Sequence, residues 1–168
     1  YLAGKCKAIG ISNFSESHIR KLLDWDQLRV RPSVHQTGLH PDPRQKGVVA
    51  LCEKEGILLQ AYASLGGQDT KDGHWKALKQ PALLDHPAVV KAAKAHSSTS
   101  ACVLLRWALQ KGWAVIPKSS PKTRIAANVA VAFELSSDEM AALDALDLGG
   151  MKGRLCWRRD ELRDLEFE

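Results

Sequence analysis

The sequence predicts an α/β fold built on a parallel sheet, and two observations predict it. Four short apolar runs recur along the 168 residues, each followed by a stretch of helical periodicity. Strands that alternate with helices are joined by right-handed crossovers, which make neighbouring strands parallel. The runs are also apolar at almost every residue, as strands buried on both faces are.

The elements follow in order. Lys7-Ala8-Ile9-Gly10-Ile11 reads as a first strand ending at Ser12-Asn13. Ser15 is placed to cap a helix that carries Ile19, Leu22 and Leu23 on one face. Pro32 to Gln36 reads as a second strand, and Val48, Val49, Leu51 and Cys52 mark a helix from about Arg44 to Glu55, with Gly56 at its end. Ile57 to Tyr62 is a third strand, followed by a polar loop from Ala63 to about Leu84. Pro87 opens a helix through Val89, Val90 and Ala93, and Ser100 is expected to cap another that stops at Gly112. Trp113 to Ile116 is the fourth strand, and Ser120-Pro121 starts a helix through Ile125 and Val129. Ser136-Ser137-Asp138-Glu139 has the capping-box pattern ahead of Met140, Leu143 and Leu146. A polar tail runs from Gly149 to Glu168, so the expected division is 1–148 and 149–168. Pattern alone leaves both a doubly wound sheet and part of a (β/α)8 barrel open.

Composition narrows the class. With 45% hydrophobic and 26% charged residues, the chain fits a globular protein and not a disordered one. It has no apolar run near the ~20 residues of a membrane helix. Cys6, Cys52, Cys102 and Cys156 lie far apart and without paired histidines, which speaks for reduced thiols in a cytoplasmic setting, against a disulfide framework and against zinc. The net charge of +5 is scattered, and the cluster from Arg154 to Arg163 is interleaved with acids, so a solvated surface is expected rather than a nucleic-acid or membrane face. His86 and His96 fall on or near helices and are expected at the surface. The sequence opens at Tyr1 and enters strand-like residues at once, which suggests a fragment of a longer protein or an incomplete gene model.

Each strand ends in a polar or aromatic group: Ser12-Asn13, Gln36, Tyr62 and Lys118-Ser119. In a barrel those positions line one rim, where sites are built from the βα loops. Neither a Gly-x-Gly-x-x-Gly stretch nor a P-loop is present, so any nucleotide must be held otherwise. Ile116-Pro117-Lys118-Ser119-Ser120-Pro121 offers a cation and hydroxyls just before a helix N-terminus, whose unbonded amides favour anions. Arg124 stands six residues beyond Lys118, where its planar fork can close on the same anion. The bland reading of that stretch is a Ser/Pro helix start with exposed bases.

These residues, in this order, resemble the aldo-keto reductases from about Gly4 to Asp147. Ala8-Ile9-Gly10-Ile11-Ser12-Asn13-Phe14 is similar to the family's A-I-G-V-S-N-F strand. Val34-His35-Gln36 with His40-Pro41 is similar to its V-N-Q…H-P segment, and Gly56-Ile57, Ala61-Tyr62 and Leu65-Gly66 to its G-I…A-Y-S-P-L-G stretch. Leu105-Arg106-Trp107 resembles its L-R-W helix. Ile116-Pro117-Lys118-Ser119, Arg124-Ile125 and Asn128 resemble its I-P-K-S…R-I…N signature, and Phe133-Glu134-Leu135-Ser136 its F-x-L-S.

The resemblance implies the C-terminal half of a (β/α)8 barrel, strands five to eight, with NADP(H) as cofactor. It implies that Ser12, Asn13 and Gln36 hydrogen-bond the nicotinamide carboxamide and that Tyr62 stacks on the ring. Leu65, Gly66 and the loop to Asp69 would cover the pyrophosphate. Lys118 and Ser119, just after Ile116, would bind the adenosine 2′-phosphate together with Arg124, and Asn128 the adenine. Three positions depart from the pattern. His35 stands where Asn is usual, with a side chain expected to point away from Gln36. Ala63-Ser64 replaces Ser-Pro, with Ser64 as a substitute hydroxyl, and Ala127 replaces an acidic residue. The family's proton-donating Tyr and its Lys, Asp and His partners belong to the first four strands, and no residue here is assigned their role. The implied reaction is reduction of a small aldehyde or ketone to an alcohol by a protein expected to be monomeric. A non-catalytic NADP-binding or scaffold member of the same fold is the alternative, and a polyanion-binding module a weaker one.

Overall fold

The computed structural model describes residues 1–42, 45–67 and 80–149. Strand β1 (Gly10–Ser12) leads into helix α1 (Glu16–Leu23), and β2 (Val34–Gly38) into α2 (Lys46–Lys54). Strand β3 (Leu58–Tyr62) is followed by a single 3-10 turn (Leu83–Asp85) and helices α3 (Pro87–Ala95) and α4 (Ser100–Gln110). The short β4 (Ala114–Val115) precedes α5 (Lys122–Val129) and α6 (Ser137–Asp144).

The sheet order is β1-β2-β3-β4, and every neighbouring pair is parallel. Chain order and spatial order coincide. A doubly wound sheet reverses its strand order at a switch point, so the sequential order selects the barrel-type wall of the two architectures that pattern left open.

The strands are buried on one face only, among the described residues. His35, Thr37, Leu59 and Ala61 point into the helix layer and are buried, while Val34, Gln36, Gln60 and Tyr62 are half-buried and Leu58 is 48% exposed. The expectation of burial on both faces fails here because no described element lies over the second face. The helix-side core joins Ile19, Leu51, Leu59, Ala61, Val89, Leu104 and Trp107 into one cluster. Helix α4 lies at its centre, with Cys102, Val103, Leu104, Leu105, Trp107 and Ala108 all buried. Helix α5 is its opposite: it has no buried residue, and Ile125 and Val129 are exposed.

Helix ends follow local rules with two corrections. The predicted capping box forms: the Ser136 hydroxyl accepts from the Glu139 amide (3.3 Å), and the Glu139 carboxylate from the Ser136 amide (2.8 Å). Helix α4, however, is capped by Thr99, whose hydroxyl accepts from Cys102 N (3.2 Å), and not by Ser100. Helix α5 has Pro121 at its N-cap and no side-chain cap, so Ser120 does not close it. His86 and His96 are half-buried and engaged rather than simply superficial. His86 Nδ1 accepts from Ala88 N (3.2 Å) at the start of α3, while His96 stacks on Phe133 (4.9 Å) and meets Glu139 at 3.0 Å.

One buried carboxylate was not anticipated. Asp42, 2% exposed, follows β2 and accepts from the Leu148 amide (2.9 Å), a contact across 106 positions of chain. Burial pushes its pKa up to about 6, against the lowering effect of that hydrogen bond and with help from nearby Asp147. A carboxyl with a raised folded-state pKa stabilises most when protonated; that contribution is complete below its unfolded pKa and is lost as pH rises through about 6. Asp42→Asn keeps an acceptor for Leu148 and cannot ionise. The variant is expected to be more stable than the native chain at pH 7.5 by about 1–2 kcal/mol, with the gap closing towards pH 4. Urea denaturation at both pH values checks this, and equal gaps would show that Asp42 ionises without penalty.

Candidate functional site

The parallel register brings polar residues of neighbouring strands together, although Gln36, expected at a strand end, stands two residues short of the end of β2, as Gln60 does in β3. Ser12 of β1 pairs with Gln36 of β2, and Gln36 with Gln60 of β3, so three polar side chains form a row on the face away from the helices. Neighbouring strands lie roughly 4.8 Å apart, close enough for the row to act as one surface. Gln36 Nε2 donates to Gln60 Oε1 (2.5 Å), which ties the row together and turns the side-chain oxygen Oε1 of Gln36 and the side-chain amide hydrogens of Gln60 towards a ligand's reach. Gln60 was missed by sequence reasoning: a glutamine inside an apolar run shows which face it takes only once the register is known.

Two residues further along, on the same face, Tyr62 pairs with Gly38. The Tyr62 ring lies over the β2 backbone at this glycine, where a Cβ would stand 3.4 Å from it. The ring reaches back across β2 to β1, where its hydroxyl donates to Asn13 Oδ1 (2.8 Å). Asn13 itself has a left-handed backbone, φ +57°, a conformation that asparagine tolerates better than most residues. Ser12, Asn13, Gln36 and Tyr62 thus sit on one rim of the sheet.

The remaining predicted residues divide. Ser64 is 3% exposed and its hydroxyl donates to the Ala61 carbonyl (3.1 Å), so it closes the turn after β3 instead of facing the open side. Leu65 is half-buried against the core and Gly66, at φ +79°, donates to Ala63 O (2.9 Å). Asp69 lies outside the described residues. Ile116, 43% exposed, donates its amide to Ala61 O (3.2 Å) at the end of β4. Lys118 and Arg124 are exposed, and Ser119 and Asn128 half-buried. Arg124 and Asn128 are four apart on α5 and share a face.

Two features of this second group fit an anionic ligand. The first-turn amides of α5 receive no side-chain cap, and the helix dipole makes them favourable to negative charge. Ser119 Oγ is buried without a hydrogen-bond partner, an arrangement that costs ~1–3 kcal/mol unless something satisfies it. Among the described residues no group of three His, Cys, Asp or Glu side chains could hold a metal, and no helix is long and apolar enough to cross a membrane. Cys6 is exposed, and Cys52 and Cys102 are buried, all as free thiols.

A sequentially ordered parallel sheet, helices on one face and hydrogen-bonding groups along one rim define an α/β protein of the barrel type. The model of the Aldo/keto reductase family matches residues 1–148, and the chain belongs to that family. It is 43% identical over 145 residues to a probable NAD(P)H-dependent D-xylose reductase of Arthroderma otae, covering 85% of this chain and 44% of that one. Prostaglandin F synthase 1 of Bos taurus is 38% identical over 146 residues, with 86% and 45% covered. The crystal structure of Gox0644 in its apo form superposes with a TM-score of 0.79 at 34% identity, across 94% of this chain and 52% of that one. The chain therefore spans about half the length of the relatives it matches.

Proposed function

We propose that this chain supplies the NADP(H) site of an oxidoreductase that reduces small aldehydes or ketones to alcohols. The observation that carries this reading is the rim itself: Ser12, Gln36 and Gln60 in register, with Tyr62 bonded to Asn13 beside them. A flat heteroaromatic amide needs a stacking surface and hydrogen-bond partners close to it, and the Tyr62 ring beside these polar groups supports that reading. The dinucleotide reading also draws on the relative named as a probable NAD(P)H-dependent D-xylose reductase. When bound, NADPH supplies the hydride.

The residues then have separable tasks. Tyr62 presents a ring face, and Ser12, Asn13 and Gln36 fix the carboxamide, so that one side of the ring faces the substrate. Lys118, Ser119 and Arg124 surround an anion at the start of α5, where the buried Ser119 hydroxyl gains its missing partner. Asn128, one turn beyond Arg124, adds a contact to the base, and Leu65 and Gly66 contribute backbone near the pyrophosphate. The general acid is assigned to residues outside these 168, in the other half of a barrel for which this chain provides the second four strands. The compartment we propose is cytoplasmic.

Fluorescence titration tests the reading. Quenching by NADPH at concentrations at least ten-fold below those needed for NADH is the expected result, since charge-assisted contacts to a 2′-phosphate are worth ~1.5–3 kcal/mol each. Equal affinity for the two would overturn the phosphate assignment, and no binding of either would overturn the cofactor site.

A further inference from the structure

The left-handed backbone of Asn13 is held from β2 by two hydrogen bonds. The Asn13 amide donates to the Gln36 carbonyl (3.0 Å), as any strand neighbour does. The next amide, that of Phe14, donates to a side chain, His35 Nε2 (3.1 Å). His35 is fully buried, and its other ring nitrogen faces the Cys52 thiol of α2 at 3.7 Å. An amide N–H can only donate, so Nε2 must be the bare nitrogen and Nδ1 the protonated one. Burial pulls the His35 pKa down to about 4, which keeps the ring neutral and Nε2 an acceptor at neutral pH. The same environment pushes the Cys52 thiol up to about 11, so the facing sulfur is uncharged too.

We propose that His35 is a positioning residue: through the Phe14 amide it locks the left-handed turn at Asn13 and thereby aims the Asn13 side chain at Tyr62 and the cofactor rim. The consequence for cofactor rests on the function proposed above; the lock itself does not. Without the acceptor, the Phe14 amide loses its partner inside the fold, and the cheapest relief is rotation of the turn out of the left-handed region. That rotation moves Asn13 Oδ1 away from the Tyr62 hydroxyl. A residue that only filled volume would be replaced without effect by another of similar bulk.

The test compares His35→Leu, which fills the space without an acceptor, with His35→Gln, whose carbonyl can reach the place of Nε2, both in the full chain. His35→Leu is expected to weaken NADPH binding about five- to ten-fold, the value of one hydrogen bond, and to speed hydrogen exchange of the Phe14 amide. His35→Gln is expected to restore both to within about two-fold of native on the same reasoning. Unchanged affinity and exchange in His35→Leu, or a glutamine variant as weak as the leucine one, would overturn the proposal. Should the native protein bind no NADPH, the cofactor reading fails alone, and Phe14 exchange still decides the lock. Nitrogen NMR of the native protein gives a readout that needs no variant: the Nδ1–H tautomer supports the assignment, and the Nε2–H tautomer sinks it.

Discussion

Trp107→Ala is expected to lower the unfolding free energy by about 3–5 kcal/mol, the range for emptying a fully buried aromatic site. Trp107 is 0% exposed in the last turn of α4 and meets Trp113 edge to face at 5.3 Å. Its indole N–H donates to Asp144 Oδ1 (2.9 Å), which joins α4 to α6. Lys111 Nζ reaches the same carboxylate (2.9 Å) and lies 5.3 Å from the Trp107 ring. Because Lys111 remains after the substitution, Asp144 keeps a partner, and most of the loss comes from the cavity rather than from a stranded charge. Trp107→Phe separates the two contributions: it keeps most of the packing, drops the N–H, and should lose only about 1–2 kcal/mol. Against a typical total of ~5–15 kcal/mol, the alanine variant sits near the edge of folding. Chemical denaturation measures both, and an alanine variant within 1 kcal/mol of native would show that α4 is not the centre of the core.

The readability of the sequence follows from the range of the interactions involved. Features set by residues within one turn were legible where one candidate stood alone, and less so where Thr99 and Ser100 stood side by side. The box at Ser136 and Glu139 forms as read, and so does the helix end at Gly56, whose φ is +67°. Strand limits were less so. The first strand read from Lys7, yet it covers only Gly10–Ser12, with Ile9 O still accepting from Ser33 N (2.8 Å) and nothing comparable before it among the described residues. The second strand read as ending at Gln36, yet it continues through Thr37 and Gly38. Glycine looks like a stop in sequence, and here it is the seat of the Tyr62 ring. His35 was read as pointing away from Gln36, and it does; that its ring would hold the Phe14 amide, just beyond β1, depends on the β1–β2 register. Asp42 was illegible for the same reason at greater distance, since its partner is a backbone amide at Leu148. The family motifs named the rim because they carry register implicitly, whereas Gln60, outside those motifs, had to wait for the sheet.

Lys118→Ala and Arg124→Ala are each expected to weaken NADPH binding about ten- to hundred-fold while leaving NADH binding within about two-fold of native, from the ~1.5–3 kcal/mol of a charge-assisted contact. The asymmetry is the point of the experiment. Both side chains are exposed, so neither supports the core, and a general loss of fold would weaken both cofactors together. The double variant should lose less than the product of the single effects, since two cations on one phosphate share the charge they neutralise. Arg124→Lys refines the assignment: it keeps the charge but not the planar fork, so an intermediate loss would indicate bidentate contact and native affinity a simple Coulomb role. Salt supplies an independent axis. Exposed charge pairs are screened over roughly 8–10 Å at 0.1–0.15 M, so native NADPH affinity should fall with ionic strength and the double variant's should be nearly flat. If NADPH and NADH weaken equally, the basic residues after β4 act as a general surface charge, and the buried, unpartnered Ser119 hydroxyl would need another explanation than a phosphate.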